Sequence, residues 1–168
     1  MPSLEERIER LEAIEEIKRL KAYYAKCADE KYTEDHERRP QDEVNAVARD
    51  QCSVFTEDAI WDGGVFGRHE GREAIYNNLR LGPWKFTVHM FMTPLIEVDG
   101  DRGTGRWLIW ETGTLTEGDT PIFLAASIEE EYVKQDGKWL ISKVEQTNRF
   151  MTRFDTPWTV NKNQPYRP

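Results

Sequence analysis

The second half of this chain is written in one pattern. Apolar and polar residues alternate through four long stretches, 85–98, 103–117, 121–135 and 138–152. Asp99-Gly100-Asp101, Glu117-Gly118-Asp119 and Asp136-Gly137 separate them, and short Asp/Gly segments between alternating runs are hairpin turn signals. The pattern predicts an antiparallel meander. Such a sheet is stable only if another layer covers its apolar face, so the first half of the chain must supply that layer.

The first half reads as helical. Ser3 with Glu6 three residues on forms a capping-box pattern. Leu4, Ile8, Leu11, Ile14, Ile17, Leu20, Tyr24 and Cys27 then recur at steps of three or four. That spacing draws one apolar stripe along a helix of about seven turns. Its first three turns are dense in Glu and Arg and are expected to project past the body of the domain. Residues 32–42 read as a polar surface loop, and residues 43–55 as a short helix with Val44, Val47 and Phe55 as its contacts. Ala59 to Asp62 reads as a short strand, and residues 67–75 as a turn into a helix that ends near Gly82-Pro83. Helices first and sheet second predicts an α+β fold, a cone in which the N-terminal helices pack on the concave face of a curved antiparallel sheet. The last residues, from Thr156, carry three prolines and are expected to drape over the body or over a neighbouring subunit.

Composition narrows the partners. The 168 residues carry 23 Lys and Arg against 31 Asp and Glu, a net charge of −8. No basic stripe or tail is present, which argues against nucleic acid or an anionic membrane surface. No apolar run approaches the roughly 20 residues of a membrane span, and the N-terminus opens an acidic helix rather than a signal peptide. The two cysteines, Cys27 and Cys52, have no metal-ligand spacing and read as free core thiols. A cytoplasmic protein is expected. An apolar strand face, a projecting helix and the proline-bearing tail point to a homo-oligomer, trimer or dimer.

Alternation also assigns faces. In the first long stretch Phe86, Val88, Met90, Met92, Ile96 and Val98 share one side. Lys85, Thr87, His89, Phe91, Thr93, Leu95 and Glu97 share the other. Glu111 falls on a side with Trp107, Ile109 and Leu115, where an acid is out of place unless paired or functional. In the last stretch Trp139, Ile141, Thr147 and Arg149 are read on one side. The candidate set is therefore Tyr24, Asp29, His89, Glu111 and Arg149. Each also has a structural reading: Tyr24 as core, Asp29 as a helix end, His89 as a satisfied strand histidine, Glu111 and Arg149 as an ion pair. His36 and His69 read as solvated loop residues. No P-loop, Rossmann glycine pattern or metal cluster appears, and no cofactor is expected.

Several of these segments together resemble the SnoaL-like branch of the nuclear transport factor 2-like superfamily. They are residues 14–24 with Cys27-Ala28-Asp29, Val88-His89-Met90, Thr93-Pro94, Thr104-Gly105-Arg106-Trp107 and the Asp-Gly-Lys-Trp turn at 136–139. The likeness is to the bile-acid 7α-dehydratase type, and more distantly to scytalone dehydratase and hexachlorocyclohexane dehydrochlorinase. It spans roughly residues 10–154. It implies a SnoaL-like domain over 1–154 followed by an extension over 155–168. It further implies a deep apolar pocket in which His89 is the general base, Asp29 its carboxylate partner, Tyr24 an active-site phenol, Glu111 a second acid and Arg149 a last-strand arginine. The implied activity is that of a cofactor-independent lyase of the dehydratase kind, acting on a hydrophobic, aromatic or polycyclic small molecule. An isomerase, cyclase or epoxide hydrolase in the same pocket, or a non-catalytic assembly domain such as a ring-dioxygenase small subunit, remains open. The loop after the first helix, residues 32–48, departs from the family pattern.

Overall fold

A computed structural model describes residues 2–155; the expected draping of the tail concerns residues outside this range. Three helices and six strands follow in order among the described residues: α1 (Leu4–Asp29), α2 (Gln41–Cys52), β1 (Phe55–Asp62), β2 (Arg68–Glu70), α3 (Arg72–Arg80), β3 (Trp84–Asp99), β4 (Arg102–Leu115), β5 (Thr120–Gln135) and β6 (Lys138–Arg153). The strands form one curved, unclosed sheet in the order β2-β1-β6-β5-β4-β3. The meander is antiparallel as expected, but β1 lies parallel to β6, so the sheet is mixed.

Helix α1 is built almost wholly from strong helix formers. It opens with the full capping box, in which the Ser3 hydroxyl accepts from the Glu6 N–H and the Glu6 carboxylate accepts from the Ser3 N–H. Its buried stripe is Ala13, Ile17, Lys21, Tyr24, Cys27 and Ala28. Leu4, Ile8 and Leu11 stand out at 69, 47 and 63 % exposed, so the first turns do project. The stripe passes through Lys21 rather than Leu20, which is only partly buried.

Helix α2 ends at Cys52 rather than reaching Phe55. Ser53 closes it by donating from both its N–H and its hydroxyl to the Asp50 carbonyl. The next carbonyl, of Val54, then accepts from the Ile141 N–H of β6, and Phe55 is fully buried at the start of β1. A ladder bond and an aromatic burial of about 1.5–3 kcal/mol outweigh one more helical turn. The cysteines are free and buried.

Hairpin chemistry fixes the meander. Asp136 and Gly137 have φ of 50° and 75°, the two left-handed positions that a type I′ turn requires. Gly105 answers a different need: a Cβ there would meet the Tyr132 ring at 2.8 Å. On the concave side, Trp107, Ile109, Leu124, Ile128, Ile141 and Val144 pack against Ile17 and Tyr24 of α1 and Cys52 of α2.

Bulges in β3 and β6 alter the faces that strict alternation predicts. In β3 the pairing slips between Met92 and Leu95, where Thr93 takes a φ of 49° and Pro94 has no N–H to offer the ladder. Beyond it the parity reverses. Ile96 and Val98 pack against the core with Phe91, and Leu95 is 64 % exposed. In β6 the register shifts leave Ser142 and then Arg149 as extra residues. Trp139 and Ile141 face inward as expected, but Val144 and Gln146 follow them, and Thr147 and Arg149 are exposed. Strand β4 pairs with β5 without a slip, so Trp107, Ile109 and Glu111 share the concave face as alternation predicts.

Candidate active site

The last turn of α1, the first half of β3 and the middle of β4 meet at the concave face. Asp29, the final residue of α1, reaches across to β3. Its Oδ1 accepts from the His89 ring Nδ1 at 2.8 Å and from the His89 backbone N–H at 3.1 Å. One carboxylate thus holds both the ring and the main chain of the histidine. With Nδ1–H donating, the other nitrogen, Nε2, presents a lone pair. The Thr87 hydroxyl lies 3.5 Å from Nδ1, and the Phe91 ring lies near parallel to the imidazole at 12° with centroids 6.3 Å apart.

Glu111 is the direct cross-strand partner of His89, which places both side chains on one face. Its Oε1 lies 3.6 Å from His89 Nε2, too long for a hydrogen bond, and that buried oxygen has no hydrogen-bond partner among the described residues. Burial holds the Glu111 carboxyl above its ordinary range. His89 opposes the shift, Asp29 adds to it and Lys31 opposes it. Such a group resides as the neutral acid more readily than a solvated one.

Tyr24 is 8 % exposed and lines the same cavity. Its ring packs edge-on against Phe55 and Phe91. Burial, with Glu130 and Cys52 adding, raises its phenol above the ordinary range, opposed by a hydrogen bond from Trp61. Tyr24 therefore enters the cavity as a neutral donor.

Arg149 does not join them. The Ser142 bulge has already turned its side of β6 outward, and the Arg149 guanidinium donates to the Ser127 hydroxyl at 2.9 Å on the outer face. The expectation of a cavity-facing arginine assumed unbroken alternation from Trp139. His36 stacks on Phe86 at 4.4 Å. His69 is half-buried, with Nε2 3.3 Å from the Phe66 carbonyl and its ring over Trp61, so it is not the solvated loop residue expected.

The cavity has a volume of about 100 Å³, the scale of a single small ring. Tyr24, Trp61, Phe66, Trp84, Phe91 and Ile109 supply apolar wall. Two lysines that sequence reasoning passed over also line it. Lys21 Nζ donates to Glu130 Oε1 at 2.5 Å, both residues being 2 % exposed, and Glu130 also accepts from the Tyr132 hydroxyl, which accepts from Trp107 Nε1–H at 2.9 Å. Lys31, just past α1, is 5 % exposed and donates to the Leu79 carbonyl at 3.0 Å. A signal for the first pair was present. Lys21 sits at helical spacing between Ile17 and Tyr24, and Glu130 alternates with Ile128 and Tyr132. Among the described residues no group of three or more His, Cys, Asp or Glu is placed to hold a metal ion, and no helix is long and apolar enough to cross a membrane.

Comparison with known proteins agrees with this architecture. Hexachlorocyclohexane dehydrochlorinase 1 of Sphingobium indicum is 29 % identical over 105 residues, covering 60 % of this chain and 68 % of that protein. The crystal structure of a type 2 hexachlorocyclohexane dehydrochlorinase superposes with a TM-score of 0.71 at 24 % identity, over 88 % of this chain and 93 % of that one. A putative scytalone dehydratase from Novosphingobium aromaticivorans superposes with a TM-score of 0.70 at 18 % identity, over 88 % and 91 %. These structural likenesses speak to the fold, a curved sheet with its helices on the inner face. The model of the SnoaL-like domain matches residues 46–145, more than half of the chain, and the protein belongs to that family.

Proposed function

We propose that the protein is a cofactor-independent lyase that removes a proton from a compact hydrophobic ring compound and expels a leaving group from the adjacent carbon. The observation that carries this reading is the pair of carboxyl groups on the two nitrogens of one imidazole. Asp29 holds Nδ1 at 2.8 Å, and Nε2 faces a buried, partnerless carboxyl oxygen 3.6 Å away. The relatedness to dehydrochlorinases supports the reaction class.

His89 Nε2 takes the proton, and the C–H electron pair becomes the new double bond. The leaving group departs with its own pair. If it is hydroxide, the neutral Glu111 supplies a proton and water leaves. His89 is then imidazolium and Glu111 carboxylate, and transfer from Nε2 to Oε1 restores both. Asp29 fixes the tautomer before the transfer and stabilises the imidazolium after it. Tyr24 donates toward an oxygen on which charge develops. A positioned base of this kind contributes about 10²–10⁴-fold. The volume of about 100 Å³ suits one ring better than a polycyclic skeleton. The outer sheet face, with Met90, Met92, Leu95 and Phe154 between 40 and 67 % exposed, supports the expected homo-oligomer.

The test is a panel of single-ring substrates bearing an acidic C–H beside a hydroxyl or halide, followed by mass spectrometry. Elimination removes the mass of water or of hydrogen halide, whereas isomerisation or cyclisation leaves the mass unchanged. His89→Ala is expected to lose at least 10²-fold in kcat. Activity within tenfold of wild type would exclude His89 as the base.

A further inference from the structure

Lys31 differs from the other charged groups in and beside the cavity. Lys21 is matched by a carboxylate at 2.5 Å. Asp29 is engaged by the ring and main chain of His89. Glu111 is held toward its neutral form by burial. Lys31, 5 % exposed and part of the cavity wall, has one carbonyl partner, Leu79 at 3.0 Å, and no carboxylate pairs with it among the described residues. An ammonium carries three N–H donors, so two are left for the cavity. A buried charge without a counter-charge is costly to the fold, and one kept beside a candidate site is better explained by a ligand than by stability.

The groups around Lys31 do not supply the missing anion. Asp29 and Cys27 of α1, Cys52 of α2 and Arg38 of the following loop interact with it electrostatically, and Glu111 of β4 senses it in turn. Arg38 is a second cation, and its guanidinium is engaged by the carbonyls of Arg80, Gly82 and Trp84. Both thiols lie in surroundings that favour the neutral form. The same cavity wall includes the apolar Trp84 and Phe91.

We propose that the cavity takes ring-sized compounds bearing one anionic oxygen group, a carboxylate or a phenolate, and that Lys31 Nζ binds that group. The inference rests on reading this cavity as the active site and names its substrate class. Burial, with Arg38 adding, brings the Lys31 ammonium down to about 8. Anion binding is therefore expected at neutral pH and to fade as the pH rises past that value in the free protein.

Benzoate serves as the probe and benzyl alcohol as its neutral counterpart, each titrated calorimetrically into the full chain. Benzoate is expected to bind at least tenfold more tightly than benzyl alcohol at pH 7, and the preference to shrink at least fivefold by pH 10. Lys31→Met should weaken benzoate at least tenfold and leave benzyl alcohol within threefold, while Lys31→Arg should keep part of the preference. These titrations need no turnover, whereas the elimination panel is read by product mass, so loss of the elimination chemistry and loss of anion binding are read separately. Equal affinity for the two probes in the wild type, or unchanged benzoate binding by Lys31→Met, would overturn the proposal. Should that variant not fold, a wild-type preference that persists undiminished to pH 10 would overturn it as well.

Discussion

Replacing Lys31 with Met should stabilise the fold at neutral pH while emptying the site of its cation. The Lys31 ammonium is lowered from an ordinary 10.5 to about 8, chiefly by burial. At about 1.4 kcal/mol per tenfold change in proton affinity, the charged form opposes folding by about 3 kcal/mol at pH 7. Met has a similar length and no charge, so that penalty disappears. It also leaves the Leu79 carbonyl without the Lys31 donor, which costs about 1 kcal/mol. The net expectation is a gain of about 2 kcal/mol, or roughly 4–8 °C in Tm for a chain of this size. The sign follows from linkage. Between pH 8 and 10.5 the unfolded chain binds the proton that the folded chain has released, so wild-type stability from this group rises across that window. The advantage of the variant should therefore vanish there and reverse by about 1 kcal/mol above pH 10.5, when only the lost hydrogen bond remains. Urea unfolding of both proteins at pH 7 and pH 10.5 measures the difference, in which other titrations common to the two cancel. A variant less stable at pH 7, or a difference that does not change with pH, would refute the reasoning.

Glu111→Gln should nearly match the wild type in stability near pH 4, where the carboxyl is still mostly protonated in both the folded and the unfolded chain. It should become the more stable of the two as pH rises from the ordinary carboxylate range up to the elevated folded-state value, because over that window the unfolded wild type has released a proton that burial makes the folded wild type keep. On a substrate that loses hydroxide the same variant should lose about 10²-fold in kcat, and a thermal melt with a rate assay over pH 4–8 checks both. Lys21→Met should destabilise by about 3–5 kcal/mol by leaving Glu130 buried without its cation. Adding Glu130→Gln should recover most of that loss in urea titrations.

Much of the fold was legible because local chemistry decides it. The capping box places the start of α1. Asp136-Gly137 can close only a tight hairpin. The alternation of β4 survives intact because no bulge interrupts it. Asp29, His89, Glu111 and Tyr24 could each be singled out as polar groups in apolar patterns. Lys21 and Glu130 carried the same kind of signal. Lys31 carried none, since a lysine just past a helix end is ordinarily solvated.

What tertiary structure decided is which of these groups meet. Near the turn at Gly100 the ladder pairs Asp99 with Arg102. Continued without interruption, that register would set His89 opposite Thr112 and leave Glu111 on the other face. The single extra residue at Thr93-Pro94 shifts the pairing so that His89 stands opposite Glu111. The bulge at Ser142 does the reverse: it flips the parity of β6, so that Arg149 falls on the outer face. A bulge depends on the strand across from it and on what the core accepts, so period-two reasoning on one strand does not contain it. By itself the sequence determined the elements and their turns, through backbone preference and hydrophobic period. The cavity, its imidazole pinned by Asp29 and its unneutralised Lys31 arise only when the sheet curls over the end of α1, because only then are these charges withdrawn from water.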